Sequence, residues 1–173
     1  MADDFPKTYL NHPGQWLFKD LLDRIFAEPD PDRITESVVS FLRARPLPMD
    51  DFPVLDNTYS RTMLGRHENG YEAMAARWQA GAVSSIHGHP CYALMVTVHG
   101  RLHVENYEKS RGRLQMTSSR ILAPGEFISA KSPNTGFDNH IHGVKAIEET
   151  LSIHISSQDA TKGEIFSRQA VLR

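Results

Sequence analysis

The stretch ALMVTVHGRLHVENYE, residues 93–108, decides the fold class of this chain. On either side of Gly100 it contains a short run rich in apolar and β-branched residues, which is typical of antiparallel strands joined by a turn. Similar segments follow, RILAPGEFI at residues 120–128 and ETLSIHIS at residues 149–156, separated by Gly, Pro, Asn and Ser. From about residue 57 onward, the sequence therefore predicts a series of antiparallel strands.

The first third of the chain has helical periodicity instead. Between Pro13 and Ala27 the apolar residues recur at three- and four-residue spacings, which predicts a surface helix with one buried face. Asp30 and Pro31 predict the start of a second helix, which ends before Pro46. Helices first and strands afterwards favour a mainly β, jelly-roll-like barrel with an N-terminal pair of helices over a parallel sheet.

Length, composition and charge narrow the class of protein. The 173 residues are 40% hydrophobic, so we expect a single domain, with residues 1–46 as its helical segment and residues 57–173 as its β-barrel. A net charge of -2, without runs of Lys or Arg, predicts that the chain binds neither nucleic acid nor a membrane surface. The sequence has no signal-like start, and its single cysteine, Cys91, suits a reducing compartment, so we expect a cytoplasmic protein.

Two histidines in SSIHGHPCYALMV, residues 84–96, are the first candidate metal ligands. His87 and His89 lie two residues apart, so on a strand both imidazoles face the same side. An imidazole pair suits iron, zinc, copper or nickel, and a third ligand must come from elsewhere in the fold. Because exposed strands also carry such pairs, spacing alone leaves the metal site open. The candidates for the third ligand are His140, His142 and His154.

The surroundings of this pair resemble those of the cupins, with Gly81, five residues, His87-x-His89 and a later glycine, Gly100. Most cupins place a glutamate shortly after the second histidine, but this chain has PCYALMV there. The resemblance therefore implies a cupin barrel with a three-histidine metal site.

Among three-histidine cupins, the chain resembles the cysteine dioxygenase family of thiol dioxygenases. Tyr59-x-Arg61 is similar to the family's Tyr-x-Arg, which implies that Tyr59 and Arg61 bind the substrate, with the guanidinium on its carboxylate. The alternative for Arg61 is a surface ion pair with Asp56 or Glu68. Trp78 precedes a glycine-containing loop, as the family's tryptophan does, and we interpret it as a core residue.

Two later segments extend the resemblance. IHGVKA is similar to the family's His-x-Val segment and implies that His142 is the third ligand, with His140 as the alternative. Ser152-x-His154 is similar to the family's Ser-x-His, which implies a catalytic pair close to bound oxygen. The alternative for His154 is a core histidine bonded to a backbone carbonyl.

The chain departs from the family at two positions. Ser156 stands where the family has a tyrosine, and the cysteine that some members crosslink to that tyrosine aligns near Ala93. If the strand stays regular, Cys91 and Ala93 face the same cavity as the histidine pair, unless Pro90 interrupts it. These departures argue against ordinary L-cysteine as the substrate.

The resemblance implies a mononuclear non-haem iron dioxygenase that uses Fe(II) and dioxygen to oxidise the sulfur of a small carboxylate-bearing thiol, cysteine or a mercapto acid, to a sulfinate. Three neutral imidazoles leave adjacent positions open for a chelating substrate and dioxygen. One alternative is a three-histidine cupin dioxygenase that cleaves a carbon–carbon bond in a chelating dicarbonyl or hydroxy acid. Another is a non-catalytic cupin that binds a metal or ligand. Cupins often pair, so the resemblance also allows a homodimer.

Overall fold

The computed structural model describes residues 22–23, 30–45, 47–168 and 171. Within them the chain forms one complete α-helix and ten β-strands, which confirms the predicted mainly β class. The helix is α1 (Pro31–Ala44), and a 3₁₀ turn follows at Met49–Asp51. The strands are β1 (Tyr59–Arg66), β2 (Glu72–Trp78), β3 (Ile86–His89), β4 (Tyr92–His99), β5 (Leu102–Ser110), β6 (Arg113–Leu122), β7 (Phe127–Lys131), β8 (Asn139–Ala146), β9 (Thr150–Ser156) and β10 (Ile165–Phe166).

Helix α1 begins and ends where the sequence predicts. The Asp30 carboxylate accepts a hydrogen bond of 3.0 Å from the backbone N–H of Asp32, and Pro31 is the first helical residue. The helix ends at Ala44, before Pro46 in the sequence.

The predicted pair of N-terminal helices is not supported. Of the first predicted helix, residues 13–27, only Leu22 and Asp23 are described, and the remainder lies outside the described residues. Among the helical segments that the structure does describe, none is long and apolar enough to cross a membrane.

The strands form two antiparallel five-stranded sheets. The first sheet has the order β1-β2-β9-β4-β7, and the second has the order β10-β3-β8-β5-β6. The sheets face each other, because one buried apolar cluster contains residues of both. From the first sheet it includes Tyr59, Ala76, Trp78 and Met95, and from the second Leu102, Val104, Leu122, Val144 and Ala146.

Helix α1 covers the outer face of the first sheet. Its four buried residues recur at helical spacing and pack into one cluster with outward-facing residues of the sheet, such as Leu94, Ile153 and Ile155. Burial of each such side chain contributes about 1.5–3 kcal/mol to folding. The buried residues of the helix are Ile34, Val38, Val39 and Leu42.

Gly100 forms the predicted turn between β4 and β5. Its φ is +70°, which lies in the left-handed region that favours glycine. A Cβ at this position would lie 2.3 Å from the carbonyl oxygen of Glu149, so no other residue fits without a backbone shift.

Candidate metal centre

Three histidines from two neighbouring strands of the second sheet converge between the sheets. His87 and His89 lie on β3, and His142 lies on β8 directly opposite His87. One ligand nitrogen from each ring lies within 4.8 Å of the other two. The ring centroids are 4.6, 4.8 and 4.9 Å apart. The structure therefore brings together the three residues that the sequence nominated as ligands.

The spacing of the ring nitrogens fits a bound cation. The Nε2 atoms of His89 and His142 are 3.1 Å apart. Two nitrogens that bind one ion at about 2.0–2.1 Å in adjacent positions are themselves about 3 Å apart. The pair His89 and His142 therefore fits two adjacent ligand positions, and the cluster with His87 could hold a metal ion.

The protonation state of the cluster also suits a metal. Burial lowers the pKa of His89 and His142 well below 6.5, and the neighbouring imidazoles lower it further. Burial lowers the pKa of His87 to about 4, against the opposing effect of its bond to Ser85 and with a further decrease from Arg61. The Nδ1–H of His87 donates to the Ser85 carbonyl at 2.9 Å, which leaves its Nε2 lone pair for a cation.

A β-bulge in β8 determines which later histidine lies beside His87 and His89. His87 lies opposite His142, but His89 lies opposite Asn139 rather than His140, so β8 has one extra residue at this point. His140 takes up the irregularity with φ +48°, in the left-handed region. His142 belongs to the ligand cluster, whereas His140 lines the same cavity outside that cluster.

Gly88, between the first two ligand candidates, is a site residue that was not predicted from the sequence. A Cβ on Gly88 would lie 2.5 Å from the carbonyl oxygen of Phe137, so the chain before β8 can pack on β3 only at a glycine. Asn139 fastens the same contact, because its side-chain amide donates to the carbonyls of His89 and Gly136. The sign of this role in the sequence was the position of the glycine, between two candidate ligands.

The first sheet supplies a cationic group to the same cavity. Arg61 and Tyr59 both line it, and Arg61 Nη2 donates to the Tyr59 hydroxyl at 3.1 Å. The Tyr59 ring stacks on Trp78, with ring centroids 4.1 Å apart. The Arg61 charge lowers the pKa of both His87 and His154, which line the same cavity. Among the described lining residues, Arg61 is the one Lys or Arg.

Ser152 joins Trp78 to His154. The Trp78 Nε1–H donates to the Ser152 hydroxyl at 2.9 Å, and that hydroxyl lies 2.8 Å from Nε2 of His154. Burial lowers the pKa of His154 to about 3, with further decreases from Arg61 and His87. His154 is therefore a neutral imidazole outside the ligand cluster. Trp78 lines the cavity and also holds the serine, so it is more than the core residue that we expected.

The cavity between the sheets has a volume of about 520 Å³. Ala93 and Ser156, the two positions that depart from the thiol dioxygenase pattern, both line it. Cys91 is not among the described lining residues, and its Sγ lies 3.2 Å from the Ser157 hydroxyl. The expected shared facing of Cys91 and Ala93 fails, because Cys91 lies in the bend between β3, which ends at His89, and β4, which begins at Tyr92.

Comparison with known proteins agrees with this architecture. No protein-family model matches the sequence, and no curated protein does. A cupin superfamily protein from Desulfitobacterium hafniense superposes with a TM-score of 0.51 and 14% identity, over 66% of this chain and 92% of that chain. The chain has a cupin fold. At such identity the likeness shows the fold alone.

Two further cupin-like structures match with lower scores. KdgF from Halomonas sp. has a TM-score of 0.46 and 21% identity, over 62% of this chain and 86% of that chain. An oxalate oxidase has a TM-score of 0.49 and 16% identity, over 71% of this chain and 60% of that chain. The metal-binding capacity of this cupin barrel therefore rests on its own three histidines.

Proposed function

We propose that this cupin is a mononuclear non-haem iron dioxygenase that oxidises the sulfur of a small carboxylate-bearing thiol to a sulfinate. One observation carries the proposal: three neutral imidazoles that could hold a cation and the guanidinium of Arg61 line one cavity.

The donor set favours an anionic substrate. His87, His89 and His142 are neutral, so they would leave the full charge of a divalent ion uncompensated. Bound Fe(II) would supply positions at which a substrate thiolate and dioxygen meet. Within the part of the chain that the structure describes, no carboxylate joins the three histidines, so the negative charge would come from the substrate.

Arg61 would bind the substrate carboxylate. A guanidinium pairs with a carboxylate through two parallel hydrogen bonds, which fixes position as well as orientation. Tyr59 orients this guanidinium through its hydroxyl, and Trp78 supports the Tyr59 ring by stacking. The contribution of Arg61 is positioning of the sulfur relative to the three histidines rather than bond chemistry.

Ser152 and His154 would provide a neutral hydrogen-bonding group in the cavity wall. The low pKa of His154 keeps its imidazole uncharged at neutral pH, so it does not repel a cation in the ligand cluster. The Trp78–Ser152–His154 chain of hydrogen bonds fixes the orientation of this imidazole.

The reaction balances without a further reductant. A thiol and one dioxygen molecule give one sulfinic acid: the sulfur gains two S–O bonds, both oxygen atoms enter the product, and the O–O bond breaks. The thiol proton is released on binding and returns to solvent or to the sulfinate according to pH.

The test is oxygen consumption by protein loaded anaerobically with Fe(II). Cysteine, 3-mercaptopropionate and mercaptosuccinate are supplied separately, and the products are identified by mass spectrometry. We expect uptake of one dioxygen per thiol and a product that gains two oxygen atoms. A His142→Ala variant treated in the same way is the control for oxidation by free iron.

Lack of uptake with every thiol would contradict the proposal. So would a disulfide as the sole product, because disulfide formation needs no site for the carboxylate. Metal analysis of the purified protein adds an independent check, since zinc or nickel without iron would favour a cupin that binds metal without oxygen chemistry.

A second candidate function is cleavage of a carbon–carbon bond in a chelating dicarbonyl or hydroxy acid. The observation that favours it is the pair Ala93 and Ser156, which lie opposite each other on β4 and β9, so that neither of these two positions carries a phenol or a thiol. Oxygen uptake with β-diketones or 2-hydroxy acids, but not with thiols, would establish this alternative.

A further inference from the structure

Strand β5 lies beside the ligand strand β8 and brings an amide side chain next to the ligand cluster. Asn106 on β5 pairs with His142 on β8, and His142 in turn pairs with His87 on β3. Residues that pair directly across antiparallel strands face the same side of the sheet, so the three side chains form one row. Asn106 is accordingly one of the residues that line the cavity.

A hydrogen bond to strand β6 orients the Asn106 amide. Its Nδ2 donates to the Ser118 hydroxyl at 3.0 Å, and Ser118 lies opposite Asn106 on the side away from His142. Because the oxygen and nitrogen of an amide point in different directions, Oδ1 is turned away from Ser118. No described residue donates a hydrogen bond to Oδ1, and the atom is accessible rather than buried. This acceptor is therefore available to a ligand.

Glu108 adds a carboxylate on the same face of β5. It lies two residues after Asn106, and the irregularity between β5 and β6 adds its extra residue, Thr117, to β6, so the alternation of β5 is unbroken. Glu108 lines the cavity, and its exposure places it toward the open end. It is the one Asp or Glu among the described lining residues, and no described residue forms an ion pair or hydrogen bond with it.

The cavity therefore carries opposite charges on its two walls. Arg61 lies on the first sheet and Glu108 on the second. A simple mercapto acid would use only the cationic wall, because it has a carboxylate for Arg61 but no cation for Glu108. The cavity volume of about 520 Å³ is in the range of pockets that take drug-sized ligands, so it has room for a further polar group on the substrate.

We infer that the Asn106 amide oxygen and the Glu108 carboxylate form a second subsite, which binds an ammonium group, so that the substrate is an amino thiol acid rather than a simple mercapto acid. An ammonium group donates up to three hydrogen bonds and carries the charge that complements Glu108. Asn106 and Glu108 are then specificity-determining residues. The inference rests on the proposed function, because it names the substrate class of the same site.

The test uses two pairs of thiols whose members differ only in the amino group: cysteine with 3-mercaptopropionate, and homocysteine with 4-mercaptobutyrate. Their binding to protein loaded with Co(II) is followed without oxygen by the absorption of the cobalt–thiolate bond. Their oxidation by protein loaded with Fe(II) is followed by oxygen uptake. We expect the parent chain to bind the amino member of at least one pair about 10–100-fold more tightly.

Two variants should reduce this preference without changing the metal content. Asn106→Leu should lower it about tenfold, and Glu108→Gln, at a more exposed position, about 2–5-fold. The affinity for the thiols without an amino group should stay at the parent level in both variants. Glu105→Gln is the matched control, because Glu105 lies on the same strand, is not among the described lining residues and accepts a hydrogen bond of 2.7 Å from the Tyr107 hydroxyl.

Equal affinity of the parent chain for both members of both pairs would overturn the inference, even if the thiols are oxidised. So would an equal loss for both members in Asn106→Leu, because that result would mean that the amide serves only to join β5 to β6. Preferential binding of amino thiols without oxygen uptake would leave the inference standing and remove the proposed reaction alone. Failure to bind any thiol would remove both.

Discussion

The two sheets of the barrel differ in what covers their outer faces. Helix α1 covers the first sheet, so β2, β4 and β9 are buried on both sides over almost their whole length. In the second sheet, by contrast, eight of the ten residues of the edge strand β6 are exposed. In the first sheet β2 and β9 pair in unbroken register through Ser152 and His154, whereas the second sheet has a bulge at the metal centre.

The two sheets also contribute different groups of residues to the site. The covered sheet holds a connected chain of Tyr59, Trp78, Ser152 and His154, with Arg61 at its end. The irregular sheet gathers the three candidate ligands by means of the bulge in β8 and the close approach at Gly88. We therefore expect changes in the first sheet to affect substrate and stability, and changes at the three ligands in the second to affect the metal.

The largest effect is expected from His142→Ala in the second sheet. Loss of one of three ligands should abolish stoichiometric metal binding and all activity, as measured by metal analysis after desalting. His154→Ala, in the first sheet, is the matched control and should keep the metal. Metal loss in both variants, or in neither, would contradict the expectation that the second sheet binds the metal and the first sheet does not.

The next effect is expected from Arg61→Met in the first sheet. Loss of a charge-assisted bond of about 1.5–3 kcal/mol should weaken substrate binding about 10–100-fold. Steady-state kinetics should show a raised KM with a smaller change in kcat, while metal content stays at the parent level. Arg61→Lys should recover part of the loss, and an unchanged KM for every carboxylate thiol would contradict the assignment.

A smaller effect is expected from pH. His87 and His154 are half-buried and neutral when folded, with pKa values of about 4 and about 3, but take up protons near pH 6.5 when unfolded. The unfolded state then binds more protons below pH 6.5, so the metal-free protein should lose stability as the pH falls from about 6.5 to about 3. Urea unfolding at several pH values measures this, and a flat profile would argue against neutral buried imidazoles.

The smallest effect is expected from Ser152→Ala. The change leaves the Trp78 indole and the His154 imidazole without their shared partner, which should lower the free energy of unfolding by about 1–3 kcal/mol. Ser129→Ala, on the exposed side of β7, should change it by less than about 0.5 kcal/mol. Thermal or urea unfolding measures the free energy of unfolding of both variants. Equal decreases in the two would show that the hydroxyl bridge contributes little.

Local patterns in the sequence determined a large part of the fold. Alternating strands closed by Gly100 indicated a mainly β barrel, and Asp30 with Pro31 indicated the start of α1, because turns and helix caps depend on a few adjacent residues. The same-side placement of His87 and His89 followed from the two-residue period of a strand.

Only the tertiary structure decided which distant residues meet. The choice of His142 over His140 depends on an extra residue in β8, and a one-residue change in pairing reverses the facing of every later side chain. The close contact at Gly88 and the hydrogen bonds of Asn139 likewise depend on how separate strands pack. A sequence pattern records the period of each strand by itself, whereas the register between strands is a property of the folded chain.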